Sequence, residues 1–152
     1  MKETDLDTRI STIENKIAIK ELVDTFSLVS DKKDNVAQAS FFTEDGILTS
    51  IMGDATFTFT GRKEIEDGFA SILAPLETVW HHNGQLSITI DGNKATGFSY
   101  CLATLIGTEN NNKYQRTIAA NYADEYVKEN EQWLISKRTA TVAWEETKEV
   151  KI

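Results

Sequence analysis

Trp80-His81-His82-Asn83-Gly84-Gln85-Leu86-Ser87-Ile88-Thr89-Ile90-Asp91-Gly92 holds both histidines of the chain, side by side. The second half of this stretch alternates, with Leu86, Ile88 and Ile90 on one face and polar residues on the other, and Asp91-Gly92 is a hairpin turn signal. Adjacent residues on a strand point to opposite faces, so only one imidazole can look inward. Simple alternation puts His82 in line with Leu86 and Ile88. A bulge at Asn83-Gly84 would put His81 there instead. Imidazole is the side chain that titrates near neutral pH, which makes this stretch the place where proton transfer by histidine can occur.

Working outward, the chain from Thr78 on reads as strand. Candidate strands cover about 80–90, 94–108, 113–128 and 132–145, joined by Asp91-Gly92-Asn93, Glu109-Asn110-Asn111-Asn112 and Glu129-Asn130-Glu131. Connections this short join antiparallel neighbours, and strands this long must coil around whatever packs on them. Upstream, about Asp7 to Ser30 reads as one amphipathic helix with Ile10, Ile13, Ile17, Leu22, Phe26 and Val29 on its apolar stripe. Asp34 is a candidate N-cap for a short helix over about Asn35 to Phe42. Thr43-Glu44-Asp45-Gly46 then reads as a turn, Ile47 to Ile51 as a short strand and Ala55 to Thr60 as another. Gly61 opens a third helix with Ile65, Phe69, Ile72 and Leu73 on one side, stopped near Pro75. The expected architecture is α+β: N-terminal helices packed in the concave face of a curved, mixed but mainly antiparallel sheet, a cone whose open end forms a pocket.

The 152 residues are expected to form one domain, 1–152. A formal net charge of −8 argues against nucleic acid and against an anionic membrane surface. Cys101 is the single cysteine, so no internal disulfide forms, and neither an apolar signal segment nor a membrane-length apolar run is present. These features suggest a cytoplasmic protein. Two histidines on opposite faces cannot chelate one ion, so no metal is expected, and no phosphate loop or dinucleotide fingerprint suggests a cofactor.

Several segments together resemble a known family. Phe26-x4-Asp31-x2-Asp34-x6-Phe41-Phe42-x2-Asp45-Gly46 is similar to the opening of SnoaL-like proteins, in the nuclear-transport-factor-2-like superfamily. Gly61-Arg62-x2-Ile65 resembles their third-helix entry. His81-x2-Gly84-Gln85-x4-Ile90-Asp91-Gly92-x2-Ala95-Thr96-Gly97 resembles the histidine strand, and Tyr122-x-Asp124-x-Tyr126 with Trp133-x-Ile135-x2-Arg138 the last two strands. The resemblance implies a cone-shaped α+β barrel, a homo-oligomer (a dimer first), and a pocket at the wide end. Polyketide cyclases, scytalone dehydratase and ketosteroid isomerases share this fold with many binding proteins.

In the dehydratase-like branch an Asp after the first helix and a His on the central strand form a dyad, and Asp31 and His81 are the matching positions here. His82 is the alternative. Phe26 matches a pocket tyrosine of that branch and lacks its hydroxyl. Tyr100, Tyr114, Arg116 and Trp144 are candidate substrate-binding residues on the long strands, with cross-strand pairing as their competing role. The resemblance thus implies a cofactor-independent dehydratase, isomerase or cyclase acting on a small, largely apolar cyclic substrate by Asp–His acid–base chemistry. The alternative is a non-catalytic module of the same fold, binding a small apolar ligand or another protein.

Overall fold

The computed structural model describes residues 3–150. Helix α1 spans Glu3–Asp31, α2 Asn35–Ser40 and α3 Arg62–Leu73. The strands are β1 Phe42–Met52, β2 Ala55–Thr60, β3 Leu76–Asp91, β4 Lys94–Glu109, β5 Asn112–Glu129 and β6 Gln132–Glu149. They form a six-stranded sheet in the order β2-β1-β6-β5-β4-β3, antiparallel except for the parallel pair β1–β6. The helices fill its concave side. This is the α+β, mixed and curled sheet that the sequence predicts.

The local structure follows from identifiable residues. α1 ends in a Schellman motif: Lys33 takes φ 56°, its N–H donates to Ser30 O, and the Asp34 N–H donates to Val29 O. The Lys33 ammonium reaches Leu76 O at the start of β3. Asp34 then caps α2, its Oδ1 accepting from Ala37 N at 3.0 Å. The β4–β5 and β5–β6 hairpins turn on Asn110-Asn111 and Asn130-Glu131, all at positive φ, as two-residue turns between right-twisted strands require.

Residues of the concave face line up in rungs across the sheet. Ile90, Ala95, Tyr126, Ile135 and Phe42 form the rung at the narrow end. The next is Ile88, Gly97, Asp124, Arg138, Leu48 and Phe59, followed by Leu86, Ser99, Tyr122, Ala140, Ser50 and Phe57. Toward the wide end come Asn83, Cys101, Ala120 and Val142, then His81, Ala103, Ile118 and Glu145. Large side chains crowd the narrow rungs, where Ile19, Phe42, Ile65, Tyr126, Ile135 and Arg138 are sealed from solvent. Gly97 makes room there, since a Cβ on it would stand 2.9 Å from the Tyr126 ring. Small residues (Ala103, Ala120, Ala140) take the concave positions toward the mouth, where Ala103 packs with Leu73, Leu76, Val79 and Leu105.

Three expectations need correction. Ile10, Ile13 and Ile17 do not join the core; they are exposed, as is Leu6. Trp133 at the start of β6 donates to Asn15, and Leu6, Ile10 and Ile13 precede that contact on α1. Thr43–Gly46 is not a free turn but an irregular stretch inside β1, whose pairing jumps from Phe42–Ile135 to Ile47–Lys137. Ile72 of α3 is exposed at the mouth rather than buried with Ile65 and Leu73.

Among the described residues the core holds one ion pair. Arg138 donates from Nε and Nη2 to both oxygens of Asp124, at 2.8 and 2.7 Å, and the Tyr126 hydroxyl donates to the same carboxylate at 2.7 Å. Burial opposes the charge of Arg138, but the adjacent carboxylate outweighs it and the net shift of its pKa is upward, so the cation persists. Replacing Asp124 by Asn leaves that cation buried without its counter-charge. The expected loss in urea unfolding is about 3–5 kcal/mol. A loss below about 1 kcal/mol, the size of a surface pair, would show that the pair does not hold the narrow end.

Candidate active site

Asp31 is the last residue of α1 and His81 lies in the first half of β3. Their side chains meet: His81 Nδ1 is 2.6 Å from Asp31 Oδ1, and the backbone N–H of His81 donates to the same oxygen at 3.0 Å. An ionised carboxylate only accepts, so Nδ1 carries a proton, and in the neutral ring the lone pair is on Nε2. Both side chains are largely covered but not sealed, at 14% exposure for His81 and 22% for Asp31. The carboxylate sits at the negative end of the α1 dipole, where helix stability alone disfavours it. Two donors from β3 compensate.

One turn back on α1, Ser27 donates to Asn83 Oδ1 at 2.9 Å, and the Asn83 amide donates to Asp24 Oδ1 at 3.2 Å and Val23 O at 3.4 Å. Asn83 is two residues from His81 on the same face of β3. Helix and strand are therefore joined at two successive steps, with every polar atom of Asn83 engaged. Sequence reasoning did not single out Ser27 or Asn83. A cross-link between residues 56 positions apart leaves no mark on local pattern.

His81 faces inward because of a bulge. Asn83 pairs with Cys101 and Leu86 with Ser99, so Gly84 and Gln85 together oppose Tyr100. The extra residue lets His81 and Asn83 share a face with Leu86, Ile88 and Ile90. Gly84 fits tightly there, since a Cβ on it would lie 3.3 Å from Tyr100 Cβ. His82 consequently points to the outer sheet face, exposed, and is not in the concave site.

The expected substrate-binding residues divide. Phe26 is on the concave side, packed edge-on against Phe41, Phe42 and Phe69 and over the Arg138 guanidinium at 4.4 Å. Tyr114 and Arg116 line a cavity of about 640 Å³ at the mouth, together with Leu76, Leu105 and Glu145. Arg116 is paired there with Glu145, which shares the rung of His81. Tyr100 and Trp144, each 54% exposed, lie on the outer face and line no concave pocket. Tyr100 alternates with the buried Cys101. Trp144 is turned out by a second bulge at Ala143, where Ala120 pairs with Val142 but Ala119 with Trp144.

Burial pushes the Cys101 thiol up. Burial likewise pushes the Tyr122 hydroxyl up. Among the described residues no group of three or more His, Cys, Asp or Glu side chains is arranged to hold a metal ion, and no helix is long and apolar enough to cross a membrane.

A curled, mostly antiparallel sheet with helices on its concave side is the architecture of a known class. The chain belongs to the SnoaL-like domain family, whose model matches residues 11–139. Solved structures share its fold. One is a candidate scytalone dehydratase from Novosphingobium aromaticivorans, 22% identical, with TM-score 0.77 and coverage of 97% of this chain and 93% of that one. Another is the hexachlorocyclohexane dehydrochlorinase LinA-type3 from Novosphingobium barchaimii, 20% identical, with TM-score 0.79 and coverage of 92% and 94%. A third is an NTF2-like protein with a cystatin-like fold from Novosphingobium aromaticivorans, 20% identical, with TM-score 0.71 and coverage of 93% and 90%. No curated protein matches the sequence significantly.

Proposed function

We propose that this chain is a cofactor-independent enzyme of dehydratase, isomerase or cyclase type, acting on a small, largely apolar cyclic substrate. The observation that carries the reading is the 2.6 Å contact between His81 Nδ1 and Asp31 Oδ1. Asp31 orients the ring and stabilises the imidazolium; Nε2 removes a proton from a carbon made acidic by its neighbours and returns it to a leaving group or to another carbon. A pocket that only holds an apolar ligand has no use for a carboxylate behind an imidazole, and that favours catalysis over simple binding. Structural neighbours whose names denote a dehydratase and a dehydrochlorinase, both eliminations, support the reaction type.

The test is deuterium exchange into 2-tetralone, a cyclic ketone with acidic α-protons, followed by NMR in D₂O. The protein should accelerate exchange, and His81→Ala should remove about 10²–10⁴-fold of the rate. Asp31→Asn should lower it as well. Exchange at the parent rate in folded His81→Ala would refute the assignment.

The reading includes a cytoplasmic setting and a homo-oligomer, a dimer in its simplest form. Trp80, Tyr100, Leu102 and Trp144 form an exposed apolar area on the outer sheet face, the kind of surface that a second copy covers. Sedimentation should show a dimer, and Trp144→Glu a monomer. A monomeric parent, or a variant that stays dimeric, rules this face out as the interface.

A further inference from the structure

Helix α1 carries two apolar stripes. At about 100° per residue, Ile19, Leu22, Val23 and Phe26 share the side that enters the core. Leu6, Ile10, Ile13 and Ile17 fall on the opposite side and are 45% to 57% exposed. The second stripe is therefore not a continuation of the core face. Asn15, which accepts from Trp133, belongs with the first. A single exposed aliphatic side chain is ordinary, but four in line on one helix mark a surface that something covers.

The steps along the exposed stripe are four, three and four residues. That is the spacing of a coiled-coil seam, with Leu6 and Ile13 at heptad position d and Ile10 and Ile17 at position a. The next d and a positions are Lys20 and Asp24, which pair with each other, and Asp24 also accepts from Asn83 of β3. From there Asp24 and Asp31, on this same side of the helix, meet Asn83 and His81. The seam is thus two heptads long and stops where β3 takes over.

The flanks decide what fits it. Positions e are Asp7, Glu14 and Glu21, all acidic, and positions g are Arg9 and Lys16, both basic; all five are exposed. In a parallel pair of such helices, g of one heptad faces e of the next heptad across the seam. Arg9 then meets the partner's Glu14 and Lys16 meets the partner's Glu21, and two-fold symmetry repeats both contacts. An antiparallel pair would set acid against acid and base against base. A net charge of −8 opposes self-association in general, so a seam that matches opposite charges with a second copy is a selective one.

We propose that the N-terminal half of α1 pairs in parallel with the same segment of a second copy of this chain, as a two-heptad coiled coil. The helix is already formed against the sheet, so docking has none to nucleate. The contact is small, and it is the weaker of the two self-contacts, acting at protein concentrations above those at which the outer sheet faces pair. Two two-fold contacts on one chain link dimers into larger assemblies.

Seam cysteines test the geometry. Ile10→Cys and Ile13→Cys, each in the otherwise unchanged full chain, are oxidised mildly at high protein concentration; the native Cys101 is buried. Parallel pairing sets each position opposite itself, so each variant alone should give a disulfide-linked dimer. Antiparallel pairing sets position 10 opposite position 13. Linkage found chiefly in a mixture of the two variants, or in no sample, overturns the proposal.

Charge reversal tests the partner, by sedimentation over a concentration series. Arg9→Glu with Lys16→Glu should weaken the concentration-dependent step about tenfold or more, and so should Glu14→Lys with Glu21→Lys. Mixing the two variants should restore it, because every flanking pair is then opposite in charge. All four positions are exposed, so circular dichroism should be unchanged. A mixture no tighter than either variant alone overturns the charge-matched seam. Trp144→Glu separates the two self-contacts: monomeric when dilute, it should stop at a dimer when concentrated. A concentrated Trp144→Glu sample that stays monomeric has no α1 seam, whereas failure of the sheet-face pairing leaves the seam cross-links in place.

Discussion

A helix and a strand can be joined at successive steps only where their repeats match, and α1 and β3 meet at such a match. Four residues of helix advance about 6 Å and two residues of strand about 6.6 Å. Asp31 and Ser27 on one element thereby meet His81 and Asn83 on the other, at 2.6 and 2.9 Å. Each half supports the other. The Ser27–Asn83–Asp24 cross-link holds the register in which the carboxylate reaches the imidazole, and the Schellman turn at Lys33, tied to Leu76 O, stops α1 at Asp31.

The narrow end of the cone supplies rigidity of another kind. Arg138 and Asp124 are a buried pair with both charges hydrogen-bonded, and Tyr126 takes a further position on the carboxylate. Such a pair adds little net stability over an apolar substitute, yet it tolerates almost no displacement. Its guanidinium is also the surface on which Phe26 of α1 and Tyr122 of β5 rest. The helical layer and the sheet therefore share one rigid floor beneath the site.

Much of this was legible in the sequence, for reasons that differ by residue. The long strands announced themselves through alternation and turn residues, and the Asp31 and His81 positions through their place in an ordered set of family motifs. The β3 bulge could be anticipated because Gly84 follows the histidines. The bulge at Ala143 carries no glycine or other signal, and so the outward face of Trp144 was not readable. Ile10, Ile13 and Ile17 have helical spacing, but periodicity says only that a face exists, not what covers it. Tyr122, Asp124 and Tyr126 share one strand face, but nothing local linked Asp124 to Arg138, so the buried network was not readable.

Imidazole ¹⁵N NMR reads whether Asp31 holds the His81 ring with its proton on Nδ1. The chain has two histidines, and His82→Ala assigns the signals. The expected result is a His81 ring in the Nδ1–H tautomer with a strongly deshielded proton, a signature lost in Asp31→Asn, while the exposed His82 does not respond. A His81 ring protonated on Nε2, with a spectrum unchanged by Asp31→Asn, would contradict the account.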